Sequence, residues 1–241
     1  MNDTMNVSSV VPAYETGPND RMHYHWLMWR LQEAATMHAN REGFGAEQLD
    51  AKNCFWILTS MCIEIKELPK RNDLFSLTTW SRGAKKLRAL REFEGCDESG
   101  NTIVRASSEW MILDSETGKP LNIESLGIDL LPKTKSLFAE KIKRIRPGKP
   151  VDEIRTFRVP YSSLDASGHV NNTEYLRWGM DALRMQASVP ENISSIRIAF
   201  LSEVFEGNTI RLMNCEKTPQ GFELLGHNES NNKNSFALQV Q

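Results

Sequence analysis

Between residues 54 and 114 apolar and polar positions alternate in a series of short runs. In CFWILTSMCIEI (54–65) the residues Phe55, Ile57, Met61, Ile63 and Ile65 fall on one face. Aromatic and β-branched side chains dominate, which marks a strand rather than a helix. DLFSLTTWS (73–81), KKLRALREFEG (85–95) and TIVRASSEWMILD (102–114) follow, the last with Val104, Ala106, Trp110 and Ile112 on a single face. The turn sequences CDESGN and SETGKP punctuate them. Strands in succession joined by short turns predict an antiparallel sheet. Ahead of them the period changes. From His25 to Asn40, Leu27, Leu31, Ala34, Ala35 and His38 recur at helical spacing. Asn19 or Asp20 is expected to cap this helix and Gly43 and Gly45 to end it. Residues 7–16 read as a short strand or extended arm.

The stretch 115–150 breaks the alternation. Within it PKTKSLFAEKIKRIRPGKP is rich in Lys, Arg and Pro, as expected of a basic connecting segment, over 131–150. The order of elements then repeats. Residues 151–160 read as a strand. Asn172 to Ala187 reads as a helix with Tyr175, Trp178, Ala182, Leu183 and Gln186 along one stripe. Strands are expected at 193–205, 208–216, 222–227 and 234–241. A long helix followed by strands must bury its stripe on their sheet. One such unit of roughly 100 residues is small and leaves part of its sheet uncovered. The expected class is therefore α+β, with two antiparallel sheets, each wrapping a long helix, in tandem units at 1–130 and 151–241.

Composition narrows the function. The chain has 241 residues, 40% hydrophobic and 25% charged, with a formal net charge of −2, so no global field draws it to nucleic acid. No apolar run approaches the ~20 residues of a membrane helix, and the first residues lack the features of a signal or transit peptide. A cytoplasmic protein is the expectation. Cys54, Cys62, Cys96 and Cys215 form no CxxC pair or zinc spacing, so structural thiols are expected. His23, His25 and His38 around the first helix read as packing or surface residues, and His227 as a loop residue. No metal or cofactor is expected. Two basic groups, Lys133 to Lys149 and Lys85, Lys86, Arg88 and Arg91, read as solvated surface or as docking patches for an acidic partner.

LDASGHVNNTEYLRW (164–178) carries the candidate chemistry. Two readings stand. In the first it is a turn and a helix entry: Asp165 and Ser167 favour turns, Gly168 supplies a positive φ, Asn171 caps, and Glu174 completes a capping box. In the second it is a site. Amides at a helix start, here from Gly168 through Val170 to Asn171, can polarise a carbonyl. Asp165 can attack that carbonyl or activate water, and His169 can orient the acid. A thioester suits such a set because its thiolate leaves without a strong acid, thiol pKa values being only ~8.5.

DASGHVNNTEYLRW resembles the helix-entry motif D-x-N-x-H-V-N-N-x-x-Y of the acyl-ACP thioesterases, tandem hotdog enzymes. FWILTSMCIEIKELPKRNDLFSLTTW, TIVRASSEWMILDSETGKP and IRIAFLSEVFEGNTI resemble further segments of that family in the same order. The resemblance implies hydrolysis of fatty acyl thioesters of acyl carrier protein, with Asp165, His169 and Glu203 as catalytic residues. Ser167 stands where the family usually has Asn, and keeps one donor and one acceptor. Val204 occupies the position of a cysteine in plant members, so no thiol nucleophile acts there. The resemblance places the acyl chain in the first half, where Met28, Leu31 and Ala35 are candidate lining residues. The partner implied is acyl carrier protein. A compact monomer and a homodimer both fit. Rival readings are an acyl-CoA thioesterase, a hotdog hydratase or dehydratase, and a non-catalytic acyl-chain binding protein. On the residues alone, an exposed strand-end Glu is the ordinary reading of Glu203.

Overall fold

The computed structural model describes residues 4–128, 130, 136–138, 145–186, 192–216 and 221–241. The chain divides into two compact units, Met1–Ile142 and Lys143–Gln241. In the first, strand β1 (Met5–Val10) leads to helix α1 (Tyr24–Arg41) and a short helix α2 (Ala46–Asp50). Strands β2 (Cys54–Ile65), β3 (Leu74–Lys85), β4 (Arg88–Cys96) and β5 (Thr102–Asp114) follow. In the second, β6 (Pro150–Arg158) leads to α3 (Asn172–Arg184) and then β7 (Ser195–Phe200), β8 (Thr209–Cys215), β9 (Phe222–Asn228) and β10 (Lys233–Val240). His227 therefore lies in β9, not in a loop. Most of the basic segment 131–150, including Lys133, Lys135, Lys141 and Lys143, lies outside the described residues.

All pairings within each unit are antiparallel, in the order β1-β3-β4-β5-β2 and β7-β10-β9-β8-β6. Read from the other end, the second order is the first one again: the leading strand beside the second after the helix, and the strand that follows the helix beside the last. The expected repeat is thus a repeat of connections. The strands do not simply pair in the order of the sequence. β2 pairs with β5 rather than with its neighbour in sequence, β3.

Local physics places the helices. Leu27, Met28, Leu31, Ala34, Ala35 and His38 form the buried stripe of α1, which packs on β1 and β3. Neither Asn19 nor Asp20 caps it. Thr16 and Met22 close a small bridge, and the residues between form its turn, with Asp20 at φ 61° and Asn19 Oδ1 accepting from the Arg21 amide. His23 takes the cap position without a side-chain bond. α3 buries Tyr175, Leu176, Trp178, Met180, Ala182 and Leu183 against β9 and β10. Gly179 makes the approach possible, since a Cβ there would lie 2.4 Å from Leu238 Cδ2.

Asn171 is the N-cap of α3, as expected: its Oδ1 accepts from the Thr173 amide at 2.9 Å and from the Thr173 hydroxyl at 2.8 Å. The capping box does not form. The Asn171 amide instead donates to the Ser163 carbonyl, and Glu174 accepts from the Ser163 hydroxyl at 2.8 Å and pairs with Arg177. Removing this cap should cost about 1 kcal/mol. Asn171→Ala is expected to lower the denaturation midpoint by that amount, while Asn171→Asp, which keeps the acceptor, holds it.

Strand β2 departs from simple alternation. The β2–β5 register shifts between Leu58 and Ser60. Cys54 and Leu58 are buried before the shift, and Met61, Ile63 and Ile65 after it. A single extra residue inverts the face of everything beyond it. Phe55 and Ile57 therefore do not share the buried face of Met61, Ile63 and Ile65.

Candidate active site

Residues Asp165 to His169 form a closed loop ahead of α3. The Asp165 amide donates to the His169 carbonyl at 2.8 Å and the Gly168 amide to the Asp165 carbonyl at 3.0 Å. Gly168 sits at φ 80°, a conformation that costs glycine nothing. Inside the loop the side chains bond in series. Asp165 Oδ1 accepts from the Ser167 amide (2.9 Å), the Ser167 hydroxyl (2.5 Å) and the His169 amide (3.3 Å). Ser167 Oγ lies 2.9 Å from His169 Nδ1. The hydroxyl has one proton, and the carboxylate has none to offer. Ser167 therefore donates to Asp165 and accepts from His169, which fixes the imidazole proton on Nδ1. Asp165 Oδ2 takes part in none of these bonds.

A second segment of the same unit meets this loop. The Val170 amide donates to the Val204 carbonyl at 2.9 Å, and His169 pairs with Phe205 in an antiparallel bridge. The pairing brings Glu203 Oε2 to 3.9 Å from His169 Nε2. The Phe205 ring lies 5.0 Å from the imidazole. Glu203 and Asp165 remain exposed while His169 is half-buried. Beneath them Tyr175 is 4% exposed, held between the rings of Trp178, Phe200 and Phe236. Burial, and after it the negative charges of Glu203 and Asp165, push its phenol above the ordinary tyrosine range. Both acids thus project their charge onto one buried hydroxyl.

The four side chains Asp165, Ser167, His169 and Glu203 are thus brought together. The three amides expected to polarise a carbonyl are not open. Those of Gly168, Val170 and Asn171 donate to the carbonyls of Asp165, Val204 and Ser163. A helix start leaves its amides unpaired only until other chain segments dock against it, and here the loop and the 203–205 segment take them. Among the described residues no three His, Cys, Asp or Glu side chains gather as a metal cluster.

The N-terminal unit holds an apolar cavity of about 270 Å³ lined by Ala35, Ala39, Phe44, Phe55, Trp56 and Trp110 among others. The indole N–H of Trp56 donates to the Phe44 carbonyl and that of Trp110 to Ser108 Oγ, so neither ring brings an unpaired donor to the wall. Of the candidate lining residues, Ala35 is on this wall. Met28 and Leu31 are not: both are fully buried in the core under α1, because their turn of the stripe faces the sheet.

The family model for the acyl-ACP thioesterase N-terminal domain matches residues 3–127, and that for the C-terminal domain matches residues 148–240. The chain belongs to the acyl-ACP thioesterase family. A palmitoyl-acyl carrier protein thioesterase of Arabidopsis thaliana is 25% identical over 207 residues, covering 80% of this chain and 50% of that one. The chain thus spans about half the length of the curated plant relatives it matches. An acyl-ACP thioesterase from Bacteroides thetaiotaomicron has the same fold, with a TM-score of 0.89, 24% identity and coverage of 99% and 97% of the two chains. The 12:0-ACP thioesterase from Umbellularia californica superimposes with a TM-score of 0.84 at 18% identity over 100% and 97%. The serine at 167 receives one bond from His169 and gives one to Asp165, and unlike an Asn side chain it has no second amide donor.

Proposed function

We propose that the protein hydrolyses the thioester of fatty acyl carrier protein to free fatty acid and carrier thiol. One observation carries the reading: Asp165 Oδ1 is held by three donors while Oδ2 is left for chemistry, with His169 and Glu203 alongside. Asp165 Oδ2 attacks the thioester carbonyl or draws a proton from the water that does so. The C–S bond breaks, the thiolate departs, and water supplies the second oxygen of the acid. The gap of 3.9 Å between Glu203 and His169 is longer than a hydrogen bond and suits one bridging water, which Glu203 activates. Ser167 and His169 position Asp165. The Phe205 ring shields one face of the imidazole.

The repeated strand order supports a tandem hotdog, each sheet wrapping its own helix, with the acyl chain in the cavity of the N-terminal unit. Acyl carrier protein is the partner in this reading.

Glu203→Gln tests the assignment. It removes the base and keeps the shape, so fatty acid release from acyl carrier protein should fall about a hundredfold. Undiminished release removes Glu203 from the reaction. The same assay with acyl-CoA distinguishes the carrier: equal or faster turnover of the CoA thioester favours an acyl-CoA thioesterase.

A further inference from the structure

Glu203 stands on no regular element. β7 ends at Phe200 and β8 begins at Thr209. The Glu203 side chain is 55% exposed, so packing does not decide where its carboxylate points. The flanks of its segment are tied. The Leu201 amide donates to the Ser235 carbonyl at 2.9 Å. Asn208 Oδ1 accepts from the Phe205 amide at 3.2 Å and from Asn228 Nδ2 at 2.8 Å. Between these ties lies Val204, fully buried, and both of its backbone groups meet residues at the start of α3. Its carbonyl accepts from the Val170 amide at 2.9 Å. Its amide donates to the Tyr175 phenol oxygen.

That amide belongs to the planar peptide unit joining Glu203 to Val204. The bond to Tyr175 therefore sets the plane of the unit, and with it the direction in which the Glu203 side chain leaves the backbone. Tyr175 is itself fixed by packing. It is buried, with the ring centroids of Trp178, Phe200 and Phe236 at 5.5, 5.7 and 5.3 Å from its own. The helix that carries it is capped by Asn171, two residues after His169, so imidazole and phenol ride on one continuous piece of chain. Burial and the two nearby acids keep the phenol protonated, so it meets the Val204 amide as a neutral hydroxyl. Resting on the thioesterase reading above, we propose that Tyr175 is a positioning residue: through the Val204 amide it holds Glu203 at the separation from His169 that one water bridges. The start of α3 then sets both sides of the gap, His169 through the entry loop and Glu203 through Val170 and Tyr175.

Tyr175→Phe tests this, because it keeps the ring and its aromatic contacts and removes the oxygen. A buried amide left without an acceptor is costly, so the 203–204 peptide unit should turn and carry Glu203 with it. The kcat for acyl carrier protein thioesters should fall about tenfold, the loss of one aligned hydrogen bond, with KM unchanged. In a Glu203→Gln background the same substitution should cost nothing further, since no base is left to misplace. Losses that multiply in the double variant overturn the proposal, as does a Tyr175→Phe protein with the wild-type kcat. Crystal structures judge the same point without activity. The Glu203–His169 separation should widen in Tyr175→Phe beyond the reach of one water, and a retained 3.9 Å overturns the proposal. A wild type that releases no fatty acid refutes the thioesterase reading instead, while the structures still decide the positioning. Hydrogen exchange on the wild type needs no variant to fold: the Val204 amide should be protected as the Val170 amide is, and exchange at the rate of an open amide overturns the proposal.

Discussion

Asp165→Asn should leave the loop folded and cut fatty acid release by about a thousandfold. The expectation rests on how the two carboxylate oxygens are used. Oδ1 accepts from the Ser167 amide, the Ser167 hydroxyl and the His169 amide, and an Asn carbonyl oxygen can accept all three. Oδ2 becomes an amide nitrogen, which can neither attack a carbonyl nor take a proton from water. Stability and activity should therefore separate. Thermal midpoints of the Asn variant should match the wild type while release from acyl carrier protein collapses. Asp165→Ala should lose both, because it also strips an acceptor from three donors at once, each worth about 1 kcal/mol. Because the Ser167 hydroxyl loses its acceptor in the Ala variant, His169 should lose its fixed orientation too. An Asn variant that turns over at the wild-type rate would show that the acid is a turn former only.

Strand positions were legible because β2 and β5 carry aromatic and β-branched residues between turn sequences, and their ends fall where those turns begin. The bulge at 58–60 was not legible. Nothing in LTSM distinguishes a continuous strand from one with an inserted residue, and that residue decides which side Phe55 faces. The β2–β5 pairing was equally hidden, since it joins elements that other strands separate in sequence. In the site, spacing leaves a turn and a catalytic reading of Asp165, Ser167 and His169 both open, and the resemblance to the family motif is what points to a joint role. Which amides stay open depends on the docking of residues 203–205, a long-range contact with no local signal. Arg91 is the opposite case. Grouped by charge with Lys85, Lys86 and Arg88 it reads as surface. Strand parity with Ala89 and Phe93 places it inside, and parity is the stronger signal within a strand.

Packing beneath the site sets the second large effect. Gly226 of β9 sits between Leu212 of β8 and Phe236 of β10, and the Phe236 ring lies across it. A Cβ at 226 would stand 2.1 Å from Phe236 Cε1 and 2.4 Å from Cδ1. The ring is fully buried and rigid, so it must move as a body. Its neighbour in that movement is Tyr175, centroid to centroid 5.3 Å away, and Tyr175 is the buried hydroxyl that feels both Glu203 and Asp165. Gly226→Ala should therefore cost about 2–3 kcal/mol, after allowing for the smaller entropy of the unfolded chain, and reduce turnover as well. Gly179→Ala is the control for close approach alone. Its Cβ would meet Leu238 Cδ2 at 2.4 Å, but the next Leu238 atom is 3.7 Å away, and a single methyl can swing to another rotamer. The Gly179 variant should thus lose less stability than the Gly226 variant. Denaturant midpoints of the two, measured beside fatty acid release, decide the matter. A Gly226→Ala protein as stable as wild type, or a Gly179→Ala protein that loses more, would mean that the Phe236 ring is not the rigid floor against which Tyr175 packs.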